Sequence, residues 1–228
     1  MRAVVLFSGG KDSVYALWCT LHQGFVASLL TFLPAGHDSW MFHRPLTEWT
    51  PLQAEALGLP HTMASVSAEG RGELDVLQAS LHAVAREQGA DSVVSGTIRS
   101  GYQRRRIDTV CEKLALRSLA PLWGKDPRRL LREVAEAGFK VIISAVAAQG
   151  LDQHWVGREL TEESVEELNR LAAKYRFDIA GEGGEFETFV LGGPIFRRAI
   201  RLEGVRVFWR RDSGHLEATR AHLVDKLP

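Results

Sequence analysis

The segment Ser8–Ser13, with the sequence SGGKDS, constrains this chain more than any other feature. It follows the apolar run Ala3–Phe7, which is typical of a buried strand, and it precedes apolar residues spaced like one face of a helix, namely Val14, Leu17, Trp18 and Leu21. A strand, a glycine turn and a helix start form an anion site, because backbone N–H groups and the positive end of the helix dipole converge there. Gly9 and Gly10 permit close approach of a phosphate, and Lys11 adds a positive charge. The alternative is a tight turn with a chance lysine.

Composition restricts the class of partner. Of 228 residues, 45% are hydrophobic and 25% are charged, as in ordinary globular proteins. The 28 basic and 28 acidic residues cancel, so no global field attracts DNA or tRNA. Cys19 and Cys111 form no C-x-x-C pair, which disfavours a disulfide scaffold, a zinc site or an iron–sulfur site. No signal peptide or membrane-length apolar run is evident, so we expect a cytoplasmic protein with no membrane partner.

The first half alternates strand and helix patterns. The strand candidates are Ala3–Phe7, Val26–Leu33, His61–Ala64 and Ser92–Ser95. The helix candidates are Ser13–His22, Thr47–Leu57, Glu73–Gln88 and Tyr102–Arg117. Such alternation predicts an α/β fold with right-handed crossovers onto a parallel sheet, here a nucleotide-binding domain over residues 1–120.

The second half has a different pattern. Asp126 is a good N-cap with Pro127 behind it, and Phe139–Val146 is typical of a buried strand. Thr161 starts another helix, and the alternating tail predicts an antiparallel pair or small sheet with a turn at Asp212–Gly214. We therefore predict a smaller α+β domain over residues 121–228.

Two further segments are candidate binding or catalytic sites. In open α/β sheets, ligands bind beyond the carboxyl ends of the strands, which favours the small polar loop 95–101 and, within it, Gly96 and Thr97. The string GEGGEFET at 181–188 holds Glu182, Glu185 and Glu187 among three glycines, which allow an irregular backbone. Close carboxylates repel unless a cation neutralises them, so magnesium on a polyphosphate or a bound ammonium is expected. The alternative is a solvated acidic loop.

Several weaker candidates could contact a substrate. Arginines clamp phosphate or carboxylate bidentately, and an aromatic ring can serve as a platform, although packed or exposed residues of these types are common. The candidate substrate-binding residues are His43, Tyr102, Gln103, Arg104, Arg106, Trp155 and Arg158.

The segment Ser8–Ser13 resembles the pyrophosphate loop of the N-type ATP pyrophosphatases, which split ATP into AMP and pyrophosphate. Taken in order, the strings SGGKDS, SWMFHRP, SGTIRSGYQRRRIDTVCEKLAL, PLWGKD, GLDQHWVGREL and GEGGEFETFVLGGPIF resemble the diphthine–ammonia ligase family, over roughly Met1 to Arg198. The first string is common to the superfamily, whereas GEGGEFET is narrower. A related subfamily tied to corrinoid salvage is expected to carry a different version.

This resemblance implies a HUP-like, adenine nucleotide α-hydrolase-like fold and an AMP-forming carboxylate–ammonia ligase. Diphthine, a modified histidine of elongation factor 2, would be adenylated by ATP with Mg²⁺, and ammonium would then form the amide. The resemblance assigns the nucleotide to Ser8, Gly9, Gly10, Lys11, Asp12, Ser13, Gly96 and Thr97. Catalysis would rest on Lys11, Glu182, Glu185 and Glu187, with Asp12 positioning the metal. The sequence leaves the oligomeric state open, with a homodimer as one alternative.

Two positions depart from the family pattern, which has Asn where this chain has Leu46 and Glu where it has Asp108. Neither lies in the phosphate loop, but both could alter the substrate. Three alternatives remain at this point: an ATP pyrophosphatase acting on another carboxylate, one acting on a tRNA, and a non-catalytic adenine-nucleotide sensor. The paired cysteines of tRNA thiolases are missing, and a sensor needs no acidic cluster.

Overall fold

The computed structural model describes residues 1–34, 45–66 and 72–226. These residues form two compact units. The first contains residues 1–8, 12–34, 59–66 and 72–123. The second contains residues 9–11, 45–58 and 124–226. The helix predicted at Thr47–Leu57 thus groups with the second unit, although it lies within the first predicted domain in sequence; the boundary at residue 120 stays a prediction.

The first unit is built on a five-stranded parallel sheet of order β3-β2-β1-β4-β5. Its strands are β1 (Arg2–Leu6), β2 (Val26–Pro34), β3 (His61–Val66), β4 (Ser92–Val94) and β5 (Arg117–Leu119). Its helices are α1 (Lys11–His22), α3 (Glu73–Gln88) and α4 (Gly101–Lys113). The predicted parallel α/β fold is therefore confirmed. The strand order reverses between β1 and β4, so the loops after these strands flank the point where such sheets bind ligands.

Strand β5 corrects one prediction. The helix expected to run through Arg117 ends at Lys113, because Ala115 adopts a left-handed conformation with φ of 53° and the chain then pairs with β4. The inward face of this helix carries Ile107, Val110 and Cys111, which are buried, and Leu114 packs against them.

The second unit contains two antiparallel sheets. The larger has the order β7-β6-β10-β9, and the smaller pairs β11 with β8. The strands are β6 (Lys140–Val146), β7 (Phe186–Gly192), β8 (Ala199–Glu203), β9 (Arg206–Arg210), β10 (Ser213–Glu217) and β11 (Arg220–Val224). The helices are α2 (Thr50–Leu57), preceded by a 3₁₀ turn at Thr47–Trp49, α5 (Pro127–Glu136) and α6 (Glu162–Tyr175), with a further 3₁₀ turn at Gln153–Trp155.

Local signals explain these helix ends. The Asp126 carboxylate accepts the N–H of Arg129 at 2.9 Å, as its predicted N-cap role requires. Thr161 forms a capping box with Ser164 at the start of α6. The predicted tail turn is confirmed but lies slightly earlier, because Arg211 has φ of 57° and Ser213 already pairs with Arg210. Among the described residues, no helix is long and apolar enough to cross a membrane.

Burial of Cys111 gives a testable consequence. Burial raises the pKa of this thiol to about 11, with Asp108 adding to the rise and a hydrogen bond from Ser118 opposing it. Because the thiolate is the nucleophile, we expect Cys111 in a Cys19→Ser variant to resist alkylation at pH 8 until the protein unfolds. A thiol titration with and without denaturant measures this; equally fast labelling in both states would contradict it.

The raised pKa of Cys111 also affects stability. Because the pKa of this thiol is higher in the folded state than in the unfolded state, its contribution to the free energy of unfolding falls as pH rises from about 9 to about 11.

Candidate active site

The segment Ser8–Ser13 connects β1 to α1. Helix α1 begins at Lys11 and not at the predicted Ser13, so Lys11 and Asp12 lie in the first helical turn, where backbone N–H groups point out of the helix end. Gly9 has φ of 78°, a conformation that favours glycine. The sequence predicted a glycine turn leading into a helix, and the helix starts two residues earlier than predicted.

Hydrogen bonds within the first unit close this segment. The N–H of Ser8 donates to the Ser13 hydroxyl oxygen at 3.3 Å, and the two hydroxyl oxygens lie 3.2 Å apart. Two of the predicted nucleotide-binding residues, Ser8 and Ser13, therefore contact each other across the ends of the loop.

Gly96 packs directly on the start of α1. A Cβ atom added at Gly96 would lie 2.7 Å from the Asp12 carbonyl carbon and 2.9 Å from the Ser13 nitrogen. These are backbone atoms, so no side-chain rotation could relieve the contact. Thr97 is buried, and its hydroxyl lies 2.6 Å from that of Ser95. The structure thus brings loop 95–100 against the phosphate-loop segment, as the sequence predicted, while nucleotide contact by Gly96 and Thr97 stays a prediction.

Within the second unit, Lys11 is held by strand β7 and the loop before it. Its N–H donates to the Thr188 hydroxyl at 3.0 Å, and its ammonium donates to the Ala180 carbonyl at 2.8 Å. The ammonium also lies 5.1 Å from the centroid of the Phe186 ring, within the range of a cation–π contact. Only 4% of Lys11 is exposed. A buried ammonium held this way is pre-positioned, which suits a group that must meet negative charge.

Gln53 is a site residue that the sequence analysis missed. Its amide nitrogen donates to the Gly9 carbonyl at 2.9 Å and to the Val190 carbonyl at 2.7 Å, and the N–H of Val190 donates to Gly9 at 3.0 Å. Gln53 is fully buried, and its side-chain oxygen would lie 2.3 Å from a Cβ atom on Gly9. The side chain on α2 therefore fixes the phosphate-loop backbone to β7. The sequence offers one signal for this role, which is a glutamine among the apolar residues of the segment TPLQAEAL.

We expect Gln53→Met to lower the free energy of unfolding by about 1–3 kcal/mol, because two buried carbonyls lose a donor. We also expect a higher KM for ATP, because the Gly9 carbonyl is then held only by Val190. Chemical denaturation and nucleotide kinetics measure the two effects. Gln153→Met, at an exposed position of the same unit, is the matched control; equal behaviour of both variants would contradict this role.

The three candidate glutamates do not share one type of backbone. Glu182 and Glu185 lie in the loop before β7, where the Glu185 carboxylate accepts the N–H of Gly183 at 2.9 Å. Glu187 lies within β7, so the irregular backbone that the glycines allow ends before it. Because side chains alternate along a strand, Glu187 points to the face opposite to Thr188.

The candidate arginines are engaged with neighbours. Arg106 contacts the hydroxyl of Tyr102, whose ring is well exposed. Arg104 pairs with Asp108 at 3.2 Å, and Asp108 also accepts the Ser118 hydroxyl. The departure at Asp108 therefore belongs to a local network that joins α4 to β5.

Other candidates are packed or lie elsewhere. The backbone N–H of Gln103 donates to the Ser100 hydroxyl, which caps α4. Trp155 is 3% exposed, with the Arg158 guanidinium 4.3 Å from its ring centroid, so its ring is a packing element of the second unit. Arg158 also pairs with Glu167 at 2.6 Å. His43 lies outside the described residues.

The carboxylates of the described residues fit only a magnesium site in which substrate phosphates supply further ligands. In the described ranges no group of three or more His, Cys, Asp or Glu residues is arranged to hold a metal. Mg²⁺ commonly binds through one or two carboxylates plus substrate phosphates, and Asp12 in the first turn of α1 offers one carboxylate beside a candidate phosphate loop.

Known proteins resemble this chain over nearly its whole length. Residues 1–118 match the family described as diphthamide synthase N-terminal domain, and residues 126–224 match the diphthamide synthase C-terminal domain. A diphthine–ammonia ligase of Danio rerio is 36% identical, over 99% of this chain and 98% of its own length. That of Homo sapiens is 32% identical, over 100% and 94%. A solved structure described as a predicted subunit of tRNA methyltransferase from Methanocaldococcus jannaschii aligns with a TM-score of 0.47 at 20% identity, over 85% of this chain and 97% of its own.

Proposed function

Because this chain belongs to the diphthamide synthase family, we propose that it uses ATP to amidate diphthine with ammonium, releasing AMP and pyrophosphate. The observation that carries this proposal is the match to diphthine–ammonia ligases, over 99% and 100% of this chain and over 98% and 94% of theirs. The acceptor we propose is elongation factor 2 bearing diphthine. Cytoplasmic location and assembly as a homodimer stay predictions, and sedimentation measures the second.

The chemistry proceeds in two displacements. A carboxylate oxygen of diphthine attacks the α-phosphorus of ATP, so that a new P–O bond forms and pyrophosphate leaves. The nitrogen of ammonia then attacks the carbonyl carbon of the acyl-adenylate, AMP leaves, and the nitrogen loses a proton. Adenylation is needed because a free carboxylate is a poor acylating group.

Each step places a demand on this chain's own residues. The first turn of α1 and the buried Lys11 ammonium would stabilise charge that develops on the phosphates. Asp12 would hold Mg²⁺, which supplies charge neutralisation on the polyphosphate when bound. Gly96 would keep the α1 backbone in register with loop 95–100.

The acidic loop before β7 would bind ammonium and accept a proton from it. Ammonium must be held and then deprotonated, and a carboxylate can do both. We assign this role to Glu185 with Glu182 beside it, because both lie in the loop whose Ala180 carbonyl binds the Lys11 ammonium.

We expect Glu185→Gln to slow amide formation about 100-fold, the usual scale for losing a general base, while ATP binding stays normal. The measurement is single-turnover formation of amide from ¹⁵N-ammonium. Glu163→Gln, an exposed site on α6, is the control. Near-normal amide formation by Glu185→Gln would remove Glu185 from this role.

Nucleotide product analysis separates the proposed function from its alternatives. We expect AMP and pyrophosphate, not ADP and phosphate, and only when the diphthine-bearing factor is present. AMP formed with a tRNA or a corrinoid carboxylate in its place would move the acceptor elsewhere. Bound nucleotide without turnover under every acceptor would favour a sensor.

A further inference from the structure

The larger sheet of the second unit carries a row of side chains that starts at Glu187. Glu187 pairs with Ala145, beside a register shift between Ile143 and Ala145 on β6. Ala145 pairs with His215, and His215 pairs with Phe208, across β6, β10 and β9 in turn. Directly paired residues point to the same face of a sheet. The row therefore extends across three strand spacings of about 4.8 Å, or roughly 14 Å, on the Glu187 face.

The far end of this row is open and aromatic. Phe208 is 43% exposed and stacks on the His215 ring at a centroid distance of 5.4 Å. Val207, on the opposite face of the same strand, and Val205, just before the strand, are also exposed, at 37% and 46%. Exposed apolar side chains thus flank this strand on both faces, and Phe208 is the one on the face of the row.

Strand β9 is also an edge. It is last in the order β7-β6-β10-β9, and within residues 1–34, 45–66 and 72–226 no strand pairs with its outer side. An edge of this kind is a template for adding a further strand.

Charge indicates what such a strand would carry. Arg206 and Arg210 lie two residues to either side of Phe208, so all three share the face of the row, and Arg211 follows. Two copies of β9 pairing antiparallel about Phe208 would set Arg206 opposite Arg210, and like charges directly opposite are destabilising. An extended segment with acidic residues on both sides of an apolar one would instead complement this edge in either direction.

We propose that β9 docks the protein substrate, through an extended segment of the pattern acidic-x-apolar-x-acidic added beside Arg206–Arg210. This inference rests on the proposed function, since it takes the row from Glu187 to Phe208 to be one substrate surface. A span of roughly 14 Å corresponds to about four extended residues, so one polypeptide can reach both ends of the row. The arginines thus discourage self-pairing and select an acidic partner.

The test compares two variants of matched charge change. Arg206→Glu/Arg210→Glu reverses the edge, and Arg128→Glu/Arg170→Glu makes the same change at exposed positions on α5 and α6. Phe208→Ala removes the aromatic contact with no change of charge. Steady-state AMP release is measured against the concentration of diphthine-bearing elongation factor 2, and separately against ATP, with thermal unfolding as the check of the fold.

We expect the edge reversal to raise KM for the factor at least about tenfold, and Phe208→Ala to raise it as well, with kcat and KM for ATP nearly unchanged. The control should match the wild type. An unchanged KM for the factor in an active, folded edge variant would overturn docking at β9 and leave the proposed function intact. No AMP from the wild type would overturn both. A wild-type dimer that the edge variant converts to monomer, at unchanged KM, would assign the edge to a second copy.

Discussion

Replacing Lys11 by methionine is expected to lower kcat for AMP formation by about 100- to 1,000-fold, the usual scale for losing one preorganised donor to a developing oxyanion. Methionine keeps much of the chain length and the apolar contact with Phe186 but removes the ammonium 2.8 Å from the Ala180 carbonyl. Pre-steady-state release of pyrophosphate with saturating ATP measures the effect, because it isolates the adenylation step from amide formation.

Lys140→Met is the matched control, since Lys140 is exposed on β6. It should leave the rate unchanged. Thermal unfolding of Lys11→Met shows whether the fold survives loss of a buried charge. A folded Lys11→Met enzyme that forms AMP at the wild-type rate would contradict the assignment of Lys11 to the phosphates.

Gly96→Ala is expected to lower kcat/KM for ATP by about 100-fold, because misplacing catalytic groups by about an ångström has effects of this size. The added methyl would lie 2.7 Å from the Asp12 carbonyl carbon, so the start of α1 or loop 95–100 must move. The kinetics are measured with the factor saturating, so that only ATP use is affected.

Gly72→Ala is the control in the same unit, because its Cβ atom would meet only the Asp75 carboxylate, at 3.7 Å. A crystal structure of Gly96→Ala would locate the shift. Normal ATP kinetics in a folded Gly96→Ala protein would show that the close contact of Gly96 with Asp12 does not matter for the nucleotide.

Local sequence signals were sufficient for most of the first sheet. Apolar runs and helix periods predicted β1 to β4 and the helices between them, because each of these elements carries its own pattern. Strand β5 was not predictable in this way, because Arg117–Leu119 continues a helical period and no Gly or Pro interrupts it. Pairing with β4 and the left-handed Ala115 decide its structure, and both depend on tertiary context.

The same contrast holds at the candidate site. Ser8–Ser13 was found from sequence because consecutive residues form its loop. The part played by Gln53 could not be found, since it reaches Gly9 and Val190 from 44 and 137 residues away. The orientation of Glu187 likewise required knowledge that β7 begins at Phe186, whereas the neighbouring glycines favoured a loop.

The most direct measurement of the central claim is mass analysis of diphthine-bearing elongation factor 2, incubated with the purified protein, magnesium-ATP and ordinary ¹⁴N-ammonium. The account predicts that the carboxylate hydroxyl is replaced by an amino group, which is lighter, so that the mass of the factor falls, with one AMP formed for each amide. A factor of unchanged mass, despite full consumption of ATP to AMP, would contradict it.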